Sequence, residues 1–384
     1  MTVLIVPSWY KPGGDSQLGA FFREQALALK KKGINIIVAD ATLQNSEVSL
    51  ANQFRLKHFE DDGMLTYSFI TPTFGGWRVP RLGALLFYHN LERIYRKLVA
   101  DGIQIDVIHA HSFFPGGVAA VRLGKKYGIP VVMTEHSGAV LSKNIDTERQ
   151  SLLKECLEGA DALISVSHAL KKALVDTTDI NKEIEVIPNM VSSSFQPHWN
   201  ARDDGFTIVS IGNLIRSKRF DLTICAFASA FGGQQNITLK IIGDGPLRKK
   251  LEEMSRELHI ADQVVFTGRL SRAEVAAQLA ECDLFVLASD FETFGVVYIE
   301  ALACGLPVIG TRNGGAEDII TEDVGCLVDI NNQEQLAEAM KYVYGHFGEV
   351  NKRDFVNWCQ ERFGEDAICK EIIGVYQQVR RLKG

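Results

Sequence analysis

The 384-residue sequence predicts an α/β protein built from two Rossmann-like domains, each with a parallel sheet. Short apolar runs such as Val3 to Trp9 and Leu284 to Ala288 have the length and composition of strands buried on both faces. They alternate with amphipathic stretches suited to crossover helices. The alternation breaks over about 190 to 204, where Gln196 to Asp204 is polar and strand-free, and then restarts at spacings close to those of the first half. The chain is also longer than one hydrophobic core comfortably serves. The expected domains are 1–190 and 191–364, followed by a last helix over about 365–384.

Hydrophobic residues make up 46% and charged residues 23%, which describes an ordinary folded protein. The net charge of −6, with its acidic excess in the second half, lacks the basic footprint of a nucleic-acid binder. Seven cysteines contain no C-x-x-C pair and leave one over in any disulfide scheme, so reduced, packed thiols in a cytoplasmic protein are expected. The N-terminus MTVLIVPSWY reads as a first strand rather than a signal peptide, and no run of about 18 apolar residues could span a bilayer. Arg78, Arg81, Arg93, Arg96 and Lys97, with Trp77, surround an amphipathic helix from Leu82 to Val99. They allow peripheral contact with an anionic membrane at its inner face; the plainer reading is solvated charge and helix-dipole partners.

In the first half, the Val3 strand leads into a loop from Pro7 to Leu18 and a helix from about Gly19 to Lys32. The loop lacks G-x-G-x-x-G, so the dehydrogenase fingerprint is absent, but strand, loop and helix start form an anion cradle with Gly13 and Gly14 at its turns. Ile34 to Ala41 and Met64 to Thr71 read as strands around a polar stretch, Gln44 to Glu60, of unassigned structure. Asp106 to Ser112 (DVIHAHS) is a strand whose alternation puts His109 and His111 on one face. His111, nearer the carboxyl end, is expected to enter an interdomain cleft, and His109 to be packed. Thr134-Glu135-His136 closes the strand from Val131 to Met133, and Asp161 to Ser167 and Glu185 to Asn189 complete the sheet. Paired histidines raise a metal site, but there is no H-E-x-x-H and no convincing carboxylate third ligand, so no metal is expected.

In the second half, Phe206 to Gly212 precedes the loop Asn213 to Arg219 and a helix from Phe220 to Ala230. Arg216, Lys218 and Arg219 at a strand's carboxyl end suit a leaving diphosphate; the bland alternative is an exposed basic turn. Leu239 to Gly243 runs into the turn Gly243-Asp244-Gly245-Pro246, and Val264 to Leu270 carries Arg269 at its end. The stretch from Ser289 to Gly310 is then a strand-to-helix crossover bracketed by Glu292 and Glu300. A helix starting at Gly295 would present the N–H groups of Gly295, Val296 and Val297 as an anion site. If the residues between the glutamates are helical, the two lie about 12 Å apart along the axis. That exceeds the roughly 5 to 9.5 Å of glycosidase pairs and suits a long ligand: a sugar at one carboxylate, a diphosphate on the helix start, a ribose at the other. The alternative is a surface helix with two solvated glutamates.

The run from Glu292 through Phe294-Gly295 to Glu300-Ala301, then Ala303-Cys304-Gly305 and Pro307-Val308, resembles the E-x7-E signature of glycosyltransferase family 4, the retaining nucleotide-sugar transferases of the GT-B fold. The resemblance covers nearly the whole chain, most strongly 206–330. It implies two Rossmann-like domains facing an interdomain cleft, with the last helix crossing back onto the first, acceptor-binding domain and the donor bound by the second. Glu292 would touch the donor sugar, the Phe294-Gly295 backbone the diphosphate, and Glu300 the ribose. Gly19 would let backbone approach the donor phosphate, His111 would contact the reacting end with His136 and Glu135 nearby, and Arg269 would neighbour the nucleobase. Lys218 occupies the position of the family lysine. Asn213 stands where members usually carry arginine, leaving Arg216 or Arg219 to replace it. Gly243 opens a turn matching the family's G-D-G-P, and Gly314-Gly315 matches a turn facing the donor.

The implied activity is transfer of a sugar from a UDP- or GDP-linked donor to a hydroxyl of a glycan or lipid-linked acceptor in cell-envelope polysaccharide assembly. No D-x-D occurs, so metal-independent chemistry is expected, with catalytic roles for Glu292, His111 and Lys218. A sugar-nucleotide epimerase of the same architecture and a non-catalytic sugar-binding protein are the alternatives.

Overall fold

The computed structural model describes residues 1–10, 19–44, 54–73, 78–199, 205–349 and 351–383. They fall into two compact units, one of residues 1–188 with 368–384 and one of residues 189–367.

The first unit contains β1 (Thr2–Pro7), α1 (Ala20–Lys31), β2 (Asn35–Asp40), β3 (Leu43–Gln44), β4 (Leu56–Asp61), β5 (Met64–Phe69), β6 (Thr71–Pro72), α2 (Pro80–Ala100), β7 (Val107–His111), α3 (Val118–Tyr127), β8 (Val131–Glu135), α4 (Gly138–Leu141), α5 (Thr147–Gly159), β9 (Ala162–Ser165), α6 (His168–Thr178) and β10 (Glu185–Val186). Its main sheet has the order β10-β9-β8-β7-β1-β2-β5-β4. All pairs are parallel except β4 with β5. That hairpin was not legible: β4 is mostly exposed, so it carries no apolar run to betray it. The central strands β1, β7 and β8 are buried along almost their whole length, as expected in a parallel sheet covered on both faces, and β7 and β8 carry polar residues only toward their carboxyl ends.

The second unit contains β11 (Phe206–Ile211), α7 (Phe220–Phe231), β12 (Ile237–Ile242), α8 (Arg248–Glu257), β13 (Val264–Gly268), α9 (Arg272–Ala280), β14 (Leu284–Leu287), α10 (Val296–Ala303), β15 (Val308–Thr311), β16 (Gly325–Val328), α11 (Gln333–His346) and α12 (Lys352–Phe363). Its sheet is parallel, in the order β13-β12-β11-β14-β15-β16. Ile208, Leu239, Ile241, Val286 and Ile309 from the strands pack against Phe227, Leu251 and Met340 from the helices as one core. The last helix, α13 (Glu365–Lys383), contributes its residues from Ile368 onward to the first unit, where Ile368, Ile372 and Tyr376 are buried.

Strand order reverses at β1/β7 in the first sheet and at β11/β14 in the second. In doubly wound sheets a crevice opens at such a switch point, outside the carboxyl ends of the strands. The loops leaving these four strands carry most of the residues singled out in the sequence.

Candidate functional site

In the second unit, the loops after β11 and β14 are tied together by a bond from Asp290 N to Ser217 O of 2.8 Å. The polypeptide leaves β14 through Ala288 and Ser289 and takes a left-handed turn at Gly295, φ 87°, which caps α10. A side chain at Gly295 would sit in a strained conformation and strike the Tyr298 ring, so glycine is required there. The first intrahelical bond is donated by Tyr298 to Gly295 O. The amides of Val296 and Val297 precede it and lack intrahelical acceptors, as expected at a helix start. Because α10 begins at Val296, the segment from Glu292 to Gly295 is not helical, and the 12 Å spacing drawn from a continuous helix does not apply.

Glu292 is held at the mouth of this turn. Its backbone N–H donates to Asn313 O at 3.1 Å, and its Oε1 accepts from Lys218 Nζ at 2.5 Å and from Ser289 Oγ at 2.7 Å. Lys218 ends a single 3-10 turn, Arg216–Lys218. Arg219 is committed elsewhere: its guanidinium pairs with Asp221 and, at 3.3 Å, with Asp290. Arg216 and Asn213 are exposed on the same loop and Arg269 is exposed beyond β13. Of the two arginines offered in place of the family guanidinium, Arg216 is the one the fold leaves outward.

Phe294 is only 1% exposed and packs edge-on against Phe363, so its backbone alone can face a ligand. Gly315 lies so close that an added Cβ would come 2.6 Å from Phe294 N. Gly243 has φ 144° and sits against Gly212 O, where a Cβ would come to 1.9 Å; its role is to let two strand ends meet. Asn313 locks the far side, accepting from Ala316 N at 3.0 Å and donating to Tyr298 OH at 3.3 Å.

Glu300 lies inside α10, a helix apolar nearly all round, and its side chain is 2% exposed. A carboxylate there needs a partner, and Arg272 at the first position of α9 supplies it, Nη1 to Oε1 at 2.5 Å. The solvated-glutamate reading is thereby excluded. Sequence reasoning missed Arg272. Its signal was the Ser271 to Glu274 capping box, which places Arg272 at a helix start but does not say what it meets.

In the first unit, Gly19 is the left-handed cap of α1, φ 73°, backed by Trp9. Gly13 and Gly14 lie outside the described residues, as does Trp77. His109 is fully buried between Tyr376 OH, 2.6 Å from Nδ1, and Thr134 Oγ1, 2.8 Å from Nε2. Burial brings its pKa down to about 3. His111 faces Phe22, with ring centroids 4.8 Å apart, and its Nδ1 lies 3.2 Å from His136 Nε2. It is 1% exposed and, by burial, held well below the usual imidazole range, so it is a neutral, packed ring in this state rather than an open one. Its Nε2 has no hydrogen-bond partner among the described residues. Glu135 does not face the histidines as a ligand. Its oxygens accept from the backbone N–H groups of Phe113, His136 and Ser137 at 2.7, 3.1 and 2.7 Å, which pins the loops after β7 and β8. Ser112, between them, has φ 64° without being glycine, a strained backbone of the kind found at functional sites. Among the described residues no cluster of three or more His, Cys, Asp or Glu could hold a metal.

The basic residues around α2 stay at the surface and make local contacts there. Arg93 lies over the Phe69 ring, Arg96 reaches Glu92, Lys97 pairs with Asp101 and Arg81 approaches Glu148. No helix is long and apolar enough to cross a membrane among the described residues.

Comparison with known proteins adds independent support. The family model described as Glycosyltransferase Family 4 matches residues 18–195, and that described as Glycosyl transferases group 1 matches 192–346. The chain is 29% identical over 301 residues to N-acetyl-alpha-D-glucosaminyl L-malate synthase of Bacillus anthracis, covering 74% of this chain and 77% of that one. It is 31% identical over 235 residues to the gpi3 subunit of phosphatidylinositol N-acetylglucosaminyltransferase of Schizosaccharomyces pombe, covering 59% of this chain and 50% of that one. The chain thus spans between half and about three quarters of these relatives. Among solved structures, sucrose-phosphate synthase from Thermosynechococcus elongatus superposes with a TM-score of 0.78 at 20% identity over 98% of both chains. Anabaena HepE in complex with UDP superposes at 0.73 and 19% identity over 98% of this chain and 100% of that one.

Proposed function

The chain belongs to glycosyltransferase family 4 and has the GT-B fold, and from that premise we propose that it is a retaining enzyme moving a sugar from a nucleoside diphosphate donor to a hydroxyl of a glycan or lipid-linked acceptor. The observation that carries this reading is the arrangement around the start of α10. Two glutamates, each already matched to a cation, flank a helix terminus whose free amides suit a diphosphate.

A family relationship alone does not assign chemistry, so the roles are argued from the site. An ammonium has three N–H donors. Lys218 spends one on Glu292 and keeps two for phosphate oxygens, so it can neutralise the leaving group while still fixing the acid. In the reaction, the bond between the anomeric carbon and the diphosphate oxygen breaks and the acceptor oxygen bonds to that carbon on the same face. The acceptor proton passes to the departing phosphate oxygen. Lys218, Arg216 and the amides of Val296 and Val297 stabilise the charge that develops there, which supports a metal-independent mechanism. Glu292 orients the donor sugar and Glu300 the ribose, while Gly19, Gly243 and Gly295 shape the backbone for close approach. His111 is assigned to the reacting end: its Nε2 is buried without a partner in this state, and a sugar hydroxyl meets it once the packing against Phe22 opens.

Two relatives are named for N-acetylglucosaminyl transfer and one solved neighbour holds UDP. UDP- and GDP-linked hexoses and N-acetylhexosamines are therefore the donors to screen. Exposed Arg78 and Val79, just before α2, and exposed Leu85 in its second turn form the face proposed for contact with anionic lipid.

Calorimetry with UDP, GDP and free sugars tests the reading. It expects one nucleoside diphosphate to bind and free sugar to bind far more weakly. Sugar binding without any need of nucleotide would instead indicate a binding protein. Nucleotide release with an epimerised sugar and no acceptor, seen by mass spectrometry, would indicate an epimerase.

A further inference from the structure

Glu300 is the most enclosed charge of the donor site, and how its carboxylate is oriented is set by a residue outside the signature. Arg272 donates through Nη1 to Oε1 at 2.5 Å, and Oε2 is the oxygen assigned here to the ligand. Three features fix the guanidinium itself. Its backbone is the first turn of α9, locked by the reciprocal bonds of Ser271 and Glu274. Its Cζ lies over the ring of Phe195, 4.8 Å from the centroid, and that ring is fully buried. Its charge is matched by Glu300.

We propose that Arg272 is a positioning residue that makes the donor site selective for ribose: by holding one carboxylate oxygen of Glu300 it aims the other at the ribose hydroxyls. The proposal rests on the reading of Glu300 as the ribose ligand given above. Without the guanidinium, a carboxylate this buried has no counter-charge and gives up its ionised form or turns toward water. Either change removes a fixed acceptor. A site built to hydrogen-bond a hydroxyl rejects the analogue that lacks it, because a buried acceptor is then left without its donor. Lysine cannot take over fully, since an ammonium does not fix the orientation of its partner.

Calorimetry measures this directly with UDP and GDP and their 2′,3′-dideoxy counterparts, on folded protein verified by thermal melting. The wild type is expected to lose about tenfold or more in affinity with the dideoxy form, and Arg272→Met to bind both forms within about twofold of each other. Arg272→Lys and Phe195→Leu, which keep a positive charge beside Glu300, should fall between. In steady state the loss should appear in KM for the donor with kcat little changed. Full discrimination retained in both Arg272→Met and Phe195→Leu overturns the proposal. Equal affinity of the wild type for ribo and dideoxy forms overturns it as well while leaving the donor site standing. Failure of the wild type to bind either nucleotide removes the donor-site reading itself, and the inference with it.

Discussion

Lys218 Nζ lies 2.5 Å from Glu292 Oε1, the same oxygen that accepts from Ser289 Oγ. The cation assigned to the leaving diphosphate and the acid assigned to the donor sugar therefore hold each other before any ligand arrives. Removing Lys218 takes away a phosphate counter-charge and the partner of Glu292 at once. Lys218→Ala is expected to lower kcat/KM by at least tenfold, about 1.4 kcal/mol of transition-state stabilisation. Steady-state kinetics with saturating acceptor would read it, and unchanged constants would remove Lys218 from the mechanism.

Glu292→Gln keeps an oxygen that can accept from Ser289 but loses the charge that Lys218 meets. Since Glu292 is placed at the sugar and not at the nucleotide, kcat should fall about 100-fold, roughly 2.7 kcal/mol, while the Kd for the free nucleoside diphosphate stays within about threefold. The pair of measurements separates a sugar-positioning role from a general collapse of the site. Undiminished turnover in the variant would refute the assignment.

Much of this site was legible in the sequence, and the limits of that legibility have physical causes. Gly295 as a helix cap could be foreseen because a tight turn from a buried strand into an apolar helix calls for a left-handed residue, which glycine supplies without strain, and it is found at φ 87°. The packing of His109 followed from its place further from the carboxyl end of the strand than His111, and it is fully buried. Long-range partners were not foreseeable. Nothing in the local pattern says that Arg272 meets Glu300 28 positions on, or that Tyr376 closes on His109 across 267. Exposure misled in the other direction at His111, expected in an open cleft and found sealed against Phe22 and His136. The β4 hairpin was missed because an exposed strand has no apolar signature.

The proposed neutralisation of the leaving group by lysine, arginine and helix amides would require no divalent ion. Dialysis against EDTA should leave the transfer rate unchanged, and magnesium or manganese added back should not raise it by more than about twofold. A strict requirement for either metal would overturn the assignment of the leaving-group charge to these residues.

Gly315 is constrained by space rather than by backbone angle. A Cβ there would lie 2.6 Å from Phe294 N and 2.7 Å from its Cα and O, all backbone atoms that cannot swing aside. Gly315→Ala should cost about 1–3 kcal/mol of stability and weaken nucleotide binding by displacing the Phe294-Gly295 segment. Gly374, inside α13 with nothing within 4 Å of an added Cβ, is the control. Gly374→Ala should stabilise the protein by about 0.5–1 kcal/mol. Equal melting temperatures for the two variants would show that the approach of Gly315 to Phe294 is not tight.

His109 and His111 are both buried as neutral rings, the first with its pKa brought down to about 3 and the second held well below the usual range, in each case chiefly by desolvation. In the unfolded chain a histidine takes up a proton near pH 6.5. Below that pH the unfolded state binds more protons than the fold, so stability contributed by the neutral rings is fully present above about 6.5 and is lost as pH falls. Each ring costs on the order of 1 kcal/mol between pH 7 and pH 5.5. Glu135 opposes this in part, because burial raises its carboxyl and the fold takes up its proton earlier than the unfolded chain does. The net expectation is a lower urea midpoint at pH 5.5 for the transition that exposes the β7 and β8 amides to hydrogen exchange. His109→Gln, which keeps hydrogen-bonding capacity toward Tyr376 and Thr134 but cannot take up a proton, should recover about half of the loss. A midpoint independent of pH over this range would mean that the two rings are not buried in neutral form.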